Sequence, residues 1–146
     1  MNPELTKYAY SLNGVAELLN RPYKTLFGHT QKQPGEKRFL RFFRISESGI
    51  RIRNVDLAAY INRVYWQAEA KAPLFNVPDN FPLTVKQVAE LWECDKETIW
   101  KNLDRKPWET LYLKGEKSSQ TNYIIRYGDL KDFESRNYIC ELEAAA

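Results

Sequence analysis

Leu83-Thr84-Val85-Lys86-Gln87-Val88-Ala89-Glu90-Leu91 decides how this chain is read, because its last four residues occur earlier as Val15-Ala16-Glu17-Leu18. Sliding the chain by 73 positions aligns residues 12–65 with 85–138 without a gap, and 15 of the 54 pairs are identical. Thr25 falls on Thr98, Pro34 on Pro107, Leu40 on Leu113, Arg53 on Arg126 and Asp56-Leu57 on Asp129-Leu130. Many other pairs are like for like, among them Leu26/Ile99, Phe27/Trp100 and Tyr60/Phe133. A constant offset means two copies of one structural unit, too few for a solenoid. An internal pseudo-dimer is the expected arrangement, with units at 1–72 and 83–146 and a proline-rich linker at 73–82.

Each copy follows one plan. Val85, Val88, Leu91 and Trp92 mark one face of a helix, and Thr84 with Gln87 three residues on is a capping box. Ser11 is the corresponding cap in the first copy. After a short break, Asp95 caps a second helix through Ile99, Trp100 and Leu103; the first copy opens its equivalent with Pro22. Pro34 and Pro107 end the helical stretch. The runs 39–45 and 50–53, around Ser46-Glu47-Ser48-Gly49, predict a β-hairpin, with counterparts at 111–114 and 123–126 joined by a longer polar loop. A third helix begins at Val55 and runs towards Ala70, and its counterpart begins near Gly128. Helix, turn, helix, hairpin and helix make a winged helix-turn-helix, so the expected fold is α+β, helix-rich, with two tandem winged units.

The wording of each copy resembles the excisionase/MerR-like family of that fold. The resemblance rests on the first-helix run 83–91, on Glu97-Thr98-Ile99-Trp100 opening the second helix, and on Ile125-Arg126-x-x-Asp129-Leu130, repeated as Ile52-Arg53-x-x-Asp56-Leu57. It covers about 110 residues. The first copy departs from it at Pro22 and at Gly28 inside the second helix. The tandem arrangement is also similar to small accessory DNA-binding proteins of conjugative plasmids. These likenesses imply a sequence-specific double-stranded DNA-binding protein, a transcription regulator or an excision or relaxosome accessory factor of a mobile element, with a recombinase or relaxase as a protein partner. The alternative is a protein-interaction adaptor or phage packaging subunit in which only one unit binds DNA.

Composition sets the bounds. Units of 60–70 residues lie near the lower limit for an independent core. A 14% aromatic content with four Trp compensates. No apolar run reaches the length of a membrane span and the amino terminus does not read as a signal peptide, so a cytoplasmic protein without membrane contact is expected. Cys94 and Cys140 have no metal-ligand spacing and read as free thiols. The net charge of +3 hides an asymmetry: residues 1–73 carry twelve basic and six acidic side chains, the remainder ten and thirteen. The first half suits a polyanion and the acidic second half motivates the adaptor alternative.

With Leu26 and Ile99 facing the core, the second helix of each copy points Tyr23, Lys24, Phe27 and Gly28, or Lys96, Glu97, Trp100, Lys101 and Arg105, outward. Lys bonds guanine edges or phosphate and Glu accepts from cytosine. The bland alternative makes Phe27 and Trp100 core residues and the charges a solvated face. Arg38, Arg41, Arg44 and Arg51 line the first hairpin and are expected on phosphates; Lys114 and Lys117 are the weaker anchor of the second. Arg53 beside Asp56, repeated as Arg126 beside Asp129, reads as a structural pair. His29, the only histidine, sits in the second helix, where DNA contact or exposure is expected. No partner for histidine-based catalysis, phosphate-cradling glycine loop or metal cluster is visible, so neither catalysis nor a cofactor is expected.

Overall fold

The computed structural model describes residues 3–120 and 122–138. Among them the element order is β1 (Ala9–Ser11), α1 (Leu12–Leu19), α2 (Tyr23–Thr30), β2 (Phe43–Arg44), β3 (Ile50–Arg53) and α3 (Asn54–Val64). The order then repeats as β4 (Pro82–Thr84), α4 (Val85–Leu91), α5 (Lys96–Leu103), β5 (Glu116–Lys117), β6 (Tyr123–Arg126) and α6 (Tyr127–Arg136). This is an α+β fold of six helices and two three-stranded antiparallel sheets, ordered β1-β3-β2 and β4-β6-β5. Tyr10 faces Ile52 as Leu83 faces Ile125, so the offset of 73 read from the sequence also holds for strand register.

Short polar contacts fix the helix ends. Ser11 accepts from Gly14 N, and Thr84 and Gln87 exchange both bonds of a capping box. Asp95 accepts from Thr98 N at 2.9 Å, whereas Pro22 starts α2 with its fixed φ. The turn after the first helix of each half needs one left-handed residue, and Asn20 and Glu93, 73 apart, both adopt φ 51°. Arg63 Nη2 donates to Phe39 O at 2.6 Å and Arg136 Nη2 to Tyr112 O at 2.8 Å. The same arginine therefore ties the third helix to the preceding loop in both halves.

The hairpins differ from the sequence expectation. Only Phe43–Arg44 of 39–45 forms a strand, because Phe39 and Leu40 are buried loop residues. Residues 111–114 form none: Leu113 fills the core from a loop held by Leu113 N to Asn102 O, and pairing begins at Glu116. Each sheet also has a third strand, β1 or β4, ahead of the first helix. Pro82, expected in the linker, opens β4 at a sheet edge, where the missing N–H is tolerated. Helix α3 stops at Val64 instead of reaching Ala70. Asn62 clamps the returning chain through both Ala70 N (2.8 Å) and Ala70 O (3.0 Å). Gly128 answers to a close approach: a Cβ there would meet Asp79 Cβ at 3.1 Å and its carbonyl oxygen at 3.2 Å.

The halves share a buried junction. Tyr8, Ala9, Phe43 and Ile45 of the first half belong to the second half's core, beside Trp92, Phe133 and Tyr138. Strand β3 alternates between the two bodies. Ile50 and Ile52 enter the first core, while Arg51 donates to Trp92 O (2.7 Å) and Glu93 O (3.0 Å), and Arg53 Nη1 to Glu134 Oε1 (3.1 Å). Glu134, 2% exposed, also accepts from Tyr8 Oη and Trp92 Nε1, each at 2.9 Å. Full burial of Phe43 and Ile45 contributes about 1.5–3 kcal/mol each. The linker is seated as well, with the Phe75 ring against Tyr8 and Tyr127.

Candidate nucleic-acid interface

Helices α2 and α5 carry the candidate reading surfaces. Leu26 and Ile99 are fully buried, which turns Tyr23, Lys24, Phe27 and Gly28, and likewise Lys96, Glu97, Trp100 and Lys101, to solvent. Phe27 and Trp100 are not core residues, at 42% and 36% exposure. On α2, Tyr23 and Phe27 stack with centroids 6.3 Å apart and planes 13° from parallel. On α5, Trp100 meets Tyr123 of the second hairpin edge-on at 5.4 Å. Between them opens a cleft of about 430 Å³, lined by Lys86, Lys96, Trp100, Ser118, Asn122 and Tyr123. Lys114 and Lys117 are exposed on the same hairpin. A positive helix face beside a polar hairpin and an open cleft is a surface on which a rod-shaped polyanion can lie.

The first hairpin is placed differently. Arg51, expected on phosphate, is half-buried with its guanidinium aimed at the turn between α4 and α5, and burial pushes its pKa down. Arg41 contacts Asp56 at 3.4 Å and lies 3.8 Å over the Tyr138 ring, with Tyr138 Oη donating to Asp56 at 2.9 Å. Arg44 Nη1 donates to Glu47 O within its own turn. Of the four arginines assigned to phosphate, Arg38 is exposed. The expected Arg53–Asp56 pair is replaced by Arg53–Glu134, and Arg126 pairs with Glu116 at 3.3 Å rather than with Asp129. Arg105 is likewise turned from the outer face. Its Nε donates to Asn102 Oδ1, and Asn102 Nδ2 donates to Ile45 O at 2.8 Å, so Arg105 braces the first hairpin against α5.

His29 Nδ1 lies 2.6 Å from Tyr60 Oη on the flank of α2, and burial, Arg38 and Lys32 together lower its pKa. Burial raises the carboxyls of Glu134 and Asp56; Arg53 pulls Glu134 the other way and Tyr138 and Arg41 do so for Asp56, without cancelling the rise. The Cys94 thiol is pushed up to about 11 by burial, and Cys140 lies outside the described residues. Among the described residues no group of three or more His, Cys, Asp or Glu is placed to hold a metal, and no helix is long and apolar enough to cross a membrane.

Sequence reasoning missed the junction set Tyr8, Trp92, Glu134 and Tyr138. One signal was present: position 134 holds an acid where its repeat partner, Ile61, is apolar on the buried face of a helix. Arg21 and Lys86 were also missed, since each becomes informative only when the chain brings a second element beside it. No protein-family model, curated protein or solved structure matches the chain.

Proposed function

We propose that this chain is a non-enzymatic double-stranded DNA-binding protein built from two fused winged helix-turn-helix units, with the second unit as its better-equipped reader. The observation that carries this reading is the exposed face of α5, with Lys96, Glu97 and Lys101, beside an open cleft and a hairpin free to reach the duplex. In this reading the helix enters the major groove, Lys96 and Lys101 meet guanine edges or phosphate, and Lys114, Lys117, Ser118 and Asn122 position the hairpin on the backbone. Helix α2, with Tyr23, Lys24, Phe27 and Gly28, offers a chemically different face to a second half-site, so the operator is an imperfect repeat. The role the sequence resemblance implies is regulation, excision or transfer of a mobile element, with a recombinase or relaxase as partner.

A second reading is favoured by the buried first hairpin: only the second unit binds DNA, and the first presents α2 to a protein. Footprinting separates the two. With both units reading, the wild type protects two adjacent half-sites about 34–36 Å apart, Lys24→Glu clears one and Lys96→Glu/Lys101→Glu the other. Protection of one short site, unchanged by Lys24→Glu, establishes the adaptor. Binding of any duplex that survives Lys96→Glu/Lys101→Glu unaltered removes α5 as the reader.

A further inference from the structure

The two halves use one surface in opposite ways. In the second half, the flank of α5 and the end of α6 form a seat for the first hairpin: Asn102 holds Ile45 O, and Phe43 packs on Tyr138 at 5.6 Å. Seventy-three residues earlier the same flank, between α2 and α3, is an open cleft of about 300 Å³ lined by Arg21, Thr25, His29, Arg38, Tyr60 and Tyr65. Its chemistry has been rewritten. Where the second half places Cys94, Asn102 and Leu111, the first places Arg21, His29 and Arg38. Among the described residues no carboxylate lines this cleft. Arg21 rests against Tyr65, its Nε 3.4 Å from the hydroxyl and its guanidinium 5.4 Å from the ring, which fixes its direction without supplying a counter-charge.

We propose that this cleft is a binding site for a phosphate ester, with the Arg21 and Arg38 guanidinium groups as its charged walls and Thr25 and His29 as further donors. Two guanidinium groups facing one space repel each other until an anion enters, and their planar forks match phosphate oxygens. Thr25 and His29 lie one turn apart on α2. The Nδ1 of His29 is engaged by Tyr60, so a ligand meets Nε2. The source of the phosphate is a nucleic-acid backbone lying along α2 or a free mononucleotide; the backbone form rests on the DNA reading above, the mononucleotide form does not. A second copy of the chain is the weaker occupant. The free hairpin puts Glu116 and Ser118 where the seated one has Phe43 and Ile45.

A single histidine makes the test direct, since the Cε1–H resonance followed through the titration can belong to no other histidine. His29 is titrated by NMR alone, with adenosine 5′-monophosphate, and with a 12-base-pair duplex at low salt, in the wild type and in Arg21→Gln/Arg38→Gln. The expected result is a His29 pKa raised by about half a unit or more by at least one ligand, because an adjacent anion favours the imidazolium. In the double variant that rise is lost, affinity for the ligand that caused it falls about tenfold, and any log–log salt slope for duplex becomes shallower by about 1. Arg21→Lys/Arg38→Lys keeps the charge and retains part of the rise. A rise with the nucleotide alone identifies a free nucleotide as the source; one with duplex alone, the backbone. Tight duplex binding with His29 unmoved and the double variant unimpaired overturns the site and leaves the DNA reading standing. Binding of neither ligand overturns both. A concentration-dependent dimer that the double variant abolishes makes the cleft a seat for a second chain and also overturns the proposal.

Discussion

The hairpins at 43–53 and 116–126 occupy the same place in the repeat and have opposite fates. The first turns Phe43, Ile45, Arg51 and Arg53 onto the other half; the second turns Glu116, Lys117 and Ser118 to water. The contact between halves is therefore heterologous, a hairpin against a helix pair and α6, rather than one patch meeting its own copy across a two-fold axis. In a tandem repeat, the face used for assembly in one copy is released in the other, so divergence follows from geometry. It also reverses the charge argument. The arginine-rich hairpin is the assembled one, and the modestly charged hairpin is the one open to a partner.

The comparison breaks most severely at Glu134. Glu134→Ala leaves Arg53 buried without its carboxylate and strips Tyr8 and Trp92 of their acceptor. The expected loss is about 3–5 kcal/mol, the range for breaking a buried pair from one side. Urea denaturation followed by tryptophan fluorescence measures it. Because the first hairpin completes the second core, both halves should unfold in one transition, and a separate early transition would show that the junction contributes little.

Next in size is a matched pair. Arg53→Ala removes a guanidinium 15% exposed beside Glu134, and Arg126→Ala removes its repeat partner, 36% exposed beside a largely solvated Glu116. We expect about 2–4 kcal/mol for the first and under about 1 kcal/mol for the second. Equal losses would make the arginine a local feature of the repeat and not of the junction.

The contrast also has a binding form. Lys114→Ala/Lys117→Ala on the free hairpin should weaken duplex binding about threefold to tenfold on all sequences alike and flatten the salt slope by about 1–2, since phosphate contacts position without specifying. Arg51→Ala should lower stability and leave that slope unchanged, because its donors point at Trp92 O and Glu93 O. Fluorescence anisotropy at several salt concentrations reads both. A slope that responds to Arg51 and ignores the two lysines would restore the first hairpin as the anchor.

Local signals were legible in the sequence where local chemistry decides the outcome. Ser11, Thr84 and Asp95 cap the helices they announced, and Leu26 and Ile99 turn the expected faces outward. The strand alternation of Ile50-Arg51-Ile52-Arg53 was equally plain, but it states only that two faces differ. Whether the arginine face meets water, phosphate or another half depends on contacts between residues more than 40 positions apart, and a pattern of period two is silent on that. The flanking strands β1 and β4 were missed because three residues, one of them Pro82, are too short a run for periodicity to register. Arg105 misled for a related reason: it lies just past the end of α5, where helical spacing no longer fixes direction.

The smallest effect expected is on pH dependence, and it tests the electrostatics of the junction itself. Burial raises the folded-state pKa values of Glu134 and Asp56 above the ordinary 4.5 and 3.8. A raised carboxyl binds its proton more tightly folded than unfolded. Its favourable contribution is therefore fully present below the unfolded value and fades as pH climbs through the folded one. His29, lowered from 6.5, works oppositely and adds stability as pH rises towards that value, but it is partly exposed and its share is small. Urea midpoints should therefore decline in the wild type between pH 4 and 7, with a flatter profile in Glu134→Gln and in Asp56→Asn. Arg41, just ahead of the first hairpin, and Arg53, at its end, serve these carboxyls, and Ile61 and Asp129, their partners in the repeat, have no such neighbours among the described residues. A wild-type profile that rises over the same interval, and loses that rise in Glu134→Gln, would mean that Arg53, Tyr8 and Trp92 together outweigh burial and hold Glu134 charged throughout.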